Sequence, residues 1–287
     1  MKIVIVDKKE TELQIKEQSL FVNTQRIPLH LMEMLVLAQN TALSSKLLMR
    51  LSNKGIATLM IDKTNSNFAL TLPLESKNSE QKMAQYESLE HRLGFAKYFV
   101  NHKIATHCKQ LQRLGVEVKE SEWQHKINVA EQVADILGYE GSFSRFYFQH
   151  YFANVPKVFH KGKRSKRPPN DPLNAMLSYL YTIAYNVITA KLHQSGLDPS
   201  ISYLHTPFRS HYALSSDFLE LFRADINALA AEWFLDETLK LEDFKKKKGV
   251  YLHYESRKRL WPQVDALMKT VAKQTVKEIA LLKAAIL

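Results

Sequence analysis

Near the start of the chain, apolar and polar residues alternate in short runs. Lys2 to Val6, Leu13 to Ile15, Ser19 to Val22 and Met34 to Leu37 combine this period of two with β-branched residues, and each predicts a strand. Ser44 or Ser45 is placed to cap a short helix through Leu47, Leu48 and Leu51 that stops at Gly55, and Ile56 to Ile61 is again strand-like. The run Glu75 to Lys82 is polar with no apolar anchor and reads as a linker.

From Met83 onward the period changes to three and four. Leu173, Leu177, Leu180, Ala184 and Val187 form one apolar stripe, with Asp171 placed as its N-cap and Pro172 as its first helical residue. Leu219, Phe222, Ile226, Leu229 and Trp233 form a second. The expected class is therefore α+β: a small N-terminal β-rich domain over residues 1–75, a linker at 76–82, and a larger, mainly α-helical domain over 83–287.

Composition narrows the partners. A chain of 287 residues, 45% of them hydrophobic, can bury about 75% of the surface its unfolded form exposes. The formal charge of +11 favours a polyanion such as nucleic acid. Cys108 is the single cysteine, which excludes an intrachain disulfide and fits a reducing compartment. No apolar run is long enough for a signal segment or a membrane span, so the expected location is the cytoplasm.

Three segments hold acids and a histidine in unusual contexts. Glu140 stands in Gly138-Tyr139-Glu140-Gly141, where a helix is expected to begin, ahead of Phe143, Tyr147 and Tyr151 on one face. His205 ends an apolar approach that starts at Gly196-Leu197-Asp198-Pro199. Asp217 and Glu220 are three apart and share a helix face. An imidazole with two or three carboxylates is a ligand set for Mn²⁺ or Mg²⁺. The competing readings are a helix-start carboxylate, a core histidine and a surface ion pair between Glu220 and Arg223. Spacing alone does not bring Glu140 to the other two.

A fourth segment supplies cations. Lys161, Lys163, Arg164, Lys166 and Arg167 crowd a loop ending at Pro168-Pro169, and Lys245 to Lys248 with Arg257, Lys258 and Arg259 extend the basic surface. Lys and Arg contacts to phosphates supply most nucleic-acid affinity.

Taken in order, these segments resemble those of the CRISPR-associated spacer integrases, the Cas1 family. Asn170-Asp171-Pro172-Leu173-Asn174 with Leu177-Ser178-Tyr179 is similar to one signature of that family, and Gly196 to Pro199 followed by His205 to another. Asp217, Glu220, Phe222 and Arg223 resemble its acidic element, and Gly249 to Leu252 with Glu255, Arg257 and Lys258 its C-terminal segment. The early Ile27-Pro28 and Leu43 to Asp62 resemble its β domain, so the likeness spans nearly the whole chain. Ser202, Leu180 and Ala224 depart from it, standing where the family has glycine, glycine and proline.

The resemblance implies an endonuclease and integrase that inserts short DNA fragments into a CRISPR array by attack of a 3′-hydroxyl. It implies Glu140, His205 and Glu220 as ligands of one Mn²⁺ or Mg²⁺, Asp217 as a nearby catalytic acid, and Arg223 with the basic loop as DNA contacts. It also implies fragment and repeat DNA, a second copy of the chain and the small Cas2 protein as partners. A stand-alone nuclease on branched or single-stranded DNA and a non-catalytic DNA scaffold remain alternatives. A membrane-surface role fits least, because the basic runs lack an amphipathic helix with bulky apolar residues.

Overall fold

The structure is a computed structural model that describes residues 2–8, 11–62, 68–73, 78–166, 168–207 and 211–287. Its N-terminal part contains β1 (Lys2–Val6), β2 (Leu13–Lys16), β3 (Ser19–Val22), β4 (Gln25–Pro28), β5 (Met32–Leu37), helix α1 (Ser45–Asn53), β6 (Ala57–Ile61) and β7 (Phe68–Thr71). β1, β5 and β6 run parallel, and β7 closes the sheet antiparallel in the order β1-β5-β6-β7. β2, β3 and β4 form a separate antiparallel meander. The α1 connection turns β5, α1 and β6 into a βαβ unit, and Ser44 caps α1 by accepting from the Leu47 N–H at 3.2 Å.

Successive residues of a strand face opposite sides of the sheet, and here the two sides enter different cores. Val4, Val6, Leu35 and Leu37 pack with Leu20, Leu47 and Leu51. Ile3, Met34, Val36, Leu59 and Ile61 instead join the core of the helical part. The β-rich region and the helices thus share one core.

The helical part comprises α2 (Ser79–Glu87), α3 (Arg92–Arg113), α4 (Glu120–Asn128), α5 (Val133–Ala153), α6 (Pro172–Gln194), α7 (Ala213–Leu219), α8 (Arg223–Leu235) and α9 (Tyr254–Ile286), with a hairpin of β8 (Phe244–Lys246) and β9 (Val250–Leu252) before α9. α6 lies at the centre and is buried on most of its circumference, its apolar residues joined by the buried polar side chains Asn174, Asn186 and Thr189. Its expected stripe from Leu173 to Val187 is buried throughout. No helix of the described residues is long and apolar enough to cross a membrane.

The observed class is the expected one, with three local corrections. Ser79 to Lys82, read as linker, form the first turn of α2, capped by the Asn78 side chain, which accepts from the Gln81 N–H at 3.1 Å. The other residues of that run, 75–77, lie outside the described residues. Glu140 does not start a helix but lies well inside α5, which opens at a capping box of Gln132 and Asp135. Gly138 and Gly141 mimic a break in the sequence, yet burial of Ile136, Phe143, Tyr147 and Tyr151 outweighs a cost of about 1 kcal/mol per glycine. The Lys245 to Lys248 run, finally, spans a β-hairpin, and Arg257, expected on the same basic surface, is instead buried in α9.

Candidate metal and DNA site

α3, α5 and the α7–α8 junction bring distant charges together. Lys103 projects from α3 along a stripe that includes Phe99, Val100, Ile104 and His107, all buried. Its ammonium forms an ion pair with Glu140 of α5 and lies 2.7 Å from Glu220 Oε2 in the 3₁₀ turn Glu220–Phe222. Ser144, one turn beyond Glu140, donates to the same Glu140 oxygen at 2.6 Å. Arg223 Nε donates to Glu220 Oε1 at 2.8 Å, and its guanidinium lies over the Tyr181 ring, 4.6 Å from the centroid.

The Glu220–Arg223 ion pair expected from the sequence exists, but it is no surface pair: the Glu220 side chain is 4% exposed. Burial raises a carboxyl pKa, but Arg223, Lys103 and His205 hold Glu220 well below the usual carboxylate range. Burial likewise lowers an ammonium pKa, but Glu220 and Glu140 together raise that of Lys103. Glu220, Lys103 and Arg223 therefore stand as ions in a mostly buried cluster.

His205 reaches this cluster from a loop held at both ends. Gln85, buried in α2, donates to the Asp198 and Ile201 carbonyls at 3.0 and 3.1 Å. Arg92 donates to the Tyr203 and Leu204 carbonyls at 2.5 and 3.2 Å. Ser202, one of the departures from the family pattern, adds a hydrogen bond to the His205 carbonyl at 2.5 Å. Asp217, completely buried, closes the arrangement by accepting the backbone N–H groups of Tyr203, Leu204 and His205 at 2.8, 3.0 and 3.0 Å. Its Oδ1 also lies 2.8 Å from His205 Nδ1. With Nδ1 paired to Asp217, Nε2 is the ring nitrogen nearer Glu220, 3.9 Å from its Oε1.

Glu140 and Glu220 thus meet at Lys103, His205 Nε2 stands 3.9 Å from the other Glu220 oxygen, and Asp217 stands behind the histidine. Among the described residues no three acid, histidine or cysteine side chains already stand as a ligand cage. Lys103 lies between the two glutamates. The donor set nevertheless suits a divalent ion: Glu220 Oε2 is buried and accepts no hydrogen bond beyond its ion contact with Lys103, so the position already demands positive charge.

Beside the cluster, the basic loop is fastened to the start of α6. Asp171 caps that helix, accepting the Asn174 N–H at 2.8 Å and the Lys161 N–H at 3.2 Å. Asn174 accepts the Ser165 N–H at 3.0 Å and donates to the Lys163 carbonyl at 2.9 Å. The hairpin supports the far end, where the Val250 N–H donates to the Pro169 carbonyl at 2.9 Å. A Cβ at Gly249 would lie 2.7 Å from Pro168 Cβ, so only glycine permits this approach.

The loop does not present all its cations to solvent. Lys161, Lys163 and Lys166 are exposed, whereas Arg164 turns inward to Asn174 Oδ1 at 2.8 Å and Ser178 Oγ at 3.2 Å, which corrects its expected exposure. Arg167 lies outside the described residues. Lys166 is near enough to the cluster that partial burial and then repulsion from Arg223 and Arg164 lower its pKa. Arg223, also expected to contact DNA, has its Nε engaged by Glu220.

Sequence reasoning missed Lys103, although a signal was present: a lysine and a histidine, Lys103 and His107, interrupt the apolar stripe of α3. It also missed Asn227, which donates to the Tyr147 hydroxyl at 2.9 Å and accepts from Tyr181 behind the cluster.

Comparison with known proteins gives concordant results. Residues 4–265 match the family model described as CRISPR associated protein Cas1. A CRISPR-associated endonuclease Cas1 of Thermodesulfovibrio yellowstonii is 29% identical, over 91% of this chain and 90% of that relative. A CAS1 protein from Thermotoga maritima has the same fold at a TM-score of 0.90 and 21% identity, covering 100% of this chain and 97% of that one. A casposase bound to integration product is similar at a TM-score of 0.85 and 19% identity, covering 99% and 91%.

Proposed function

The chain belongs to the CRISPR-associated Cas1 family, and from that premise we propose that it is a divalent-metal-dependent DNA integrase that joins short DNA fragments to a CRISPR repeat. The observation that carries this reading is that Glu140 and Glu220, from separate segments, share one cation, Lys103, while His205 Nε2 lies 3.9 Å from the other Glu220 oxygen.

These three side chains would hold Mn²⁺ or Mg²⁺, with His205 contributing Nε2. The bound ion would polarise the phosphodiester and offset the charge that develops on its oxygens during attack. In the reaction, the 3′-hydroxyl of the fragment attacks a phosphorus at the repeat edge; the new ester forms as the repeat strand leaves as a 3′-hydroxyl. Asp217 fixes the orientation and tautomer of His205. Lys161, Lys163 and Lys166 neutralise backbone phosphates, and Arg223 keeps Glu220 ionised. DNA, a second copy of the chain and the Cas2 protein are the proposed partners, and the cytoplasm the proposed location.

The test is product formation by Glu140→Gln, His205→Ala and Glu220→Gln with excess Mn²⁺, beside a thermal melt of each variant. Gln is used because it keeps the side-chain volume and one acceptor oxygen, although at Glu220 it still removes the Arg223 counterion, so the melt is needed to show that the variant folds. Each variant should bind DNA nearly as well as the parent yet lose joining. Near-parental joining by a folded variant removes that residue from the ligand set. Cutting without joining in the parent favours a stand-alone nuclease, and DNA binding with no Mn²⁺-dependent product favours a scaffold.

A further inference from the structure

A lysine is rarely buried unless paired. Lys103 is 7% exposed, and its ammonium is shared between Glu140 and Glu220. Glu220 has a second counterion in Arg223, but Lys103 is the cation that ties Glu220 to Glu140 across two helical segments. We propose that Lys103 is the resident cation of the ion-free site, holding the two glutamates in place until a divalent ion displaces it.

This rests on the metal reading above and adds a step to it. A divalent ion bound by both glutamates would take the carboxylate oxygens that Lys103 now contacts. An ammonium 2.7 Å from Glu220 Oε2 leaves no room for it and would repel it. The exit lies past Glu140, whose side chain is 20% exposed, against 4% for Glu220. Lys103 therefore preorganises the ligands while lowering the apparent affinity, because only the fraction of molecules with Lys103 withdrawn can bind the ion. The ordered glutamates remain together without metal, and metal entry is coupled to movement of one side chain.

The experiment titrates Mn²⁺ into the parent chain, Lys103→Met, Lys103→Arg and Glu220→Gln by calorimetry, with melts in chelator to establish folding. Lys103→Met should bind Mn²⁺ at least tenfold more tightly than the parent and melt lower in chelator. Lys103→Arg, which keeps the charge, should bind no more tightly than the parent. In the parent, reductive methylation of Lys103 followed by mass spectrometry should rise severalfold when Mn²⁺ is added, and this measurement decides the matter if Lys103→Met does not fold. Equal or weaker Mn²⁺ binding by folded Lys103→Met, or methylation unaffected by Mn²⁺ that is bound, overturns the displacement. Absence of Mn²⁺ binding in every variant, the parent included, overturns the metal reading itself.

Discussion

Replacing Asp217 with Asn should damage the fold as well as the site. Asp217 Oδ2 accepts the Tyr203 and Leu204 N–H groups, and Oδ1 accepts the His205 N–H and lies against His205 Nδ1. Asparagine offers one carbonyl oxygen, so whichever way its amide turns, its NH₂ confronts two donors. Each hydrogen bond to a charged group is worth about 1.5–3 kcal/mol, so the loss is about 3–6 kcal/mol. In a chain of this size each kcal/mol moves Tm by about 2–4 °C, giving a fall on the order of 10 °C. The measurement is a thermal melt in chelator, which removes any contribution from bound metal, together with hydrogen exchange at the Tyr203 and Leu204 amides. A Tm within about 2 °C of the parent, with both amides still protected, would refute the role given to this carboxylate. The family resemblance ranks Asp217 below the three ligand candidates; its complete burial raises it to a residue on which the histidine loop depends.

The same geometry sets other expected outcomes. Neutralising Lys161, Lys163 and Lys166 should weaken binding to all DNA sequences alike and flatten the log affinity against log salt slope by about 0.9 per lost contact, whereas Arg164→Gln should lower Tm through its bonds to Asn174 and Ser178; an unchanged slope in the lysine variant would leave these side chains facing solvent only. Burial, then the charge of Lys103, push the His107 pKa from 6.5 to about 3. Between those values the unfolded chain binds a proton that the folded chain refuses, so stability falls as pH falls, by up to ~1.4 kcal/mol per pH unit. His107→Phe should remove that share of the slope, and parallel stability curves for parent and variant would exclude it. Cleavage engineered at residues 75–77 should leave two fragments that co-elute under native conditions, because Ile3, Met34 and Leu59 share a core with the helices; separation without denaturant would show independent domains.

Legibility differed by the range of the interaction that decides each feature. Helix α6 was readable because its cap, its proline and its apolar stripe are all local. β4 was not: Gln25-Arg26-Ile27-Pro28 has little strand character and is ordered by pairing with β3, where an edge position tolerates proline. α2 was hidden for a related reason. Its polar sequence carries weak amphipathic signal, and the side chain that anchors it, Gln85, bonds to carbonyls more than a hundred residues away.

The site divides along the same line. His205, Asp217 and Glu220 lie close in sequence and could be suspected together, while the place of Glu140 beside them depends on how α5 packs against α3. Lys103 is the instructive case, because composition concealed it. In a chain with 40 Lys and Arg residues, one more lysine carries no information as a charge. It carries much as a position, since Phe99, Val100, Ile104, Cys108 and Leu111 mark the inward face of α3 and Lys103 falls on that face. A lysine whose ammonium is held there, away from water, requires a carboxylate partner. The same stripe that encodes the core therefore also encodes the need for Glu140 and Glu220, and the charge breaking the apolar pattern marks the cluster on which the proposed site is built.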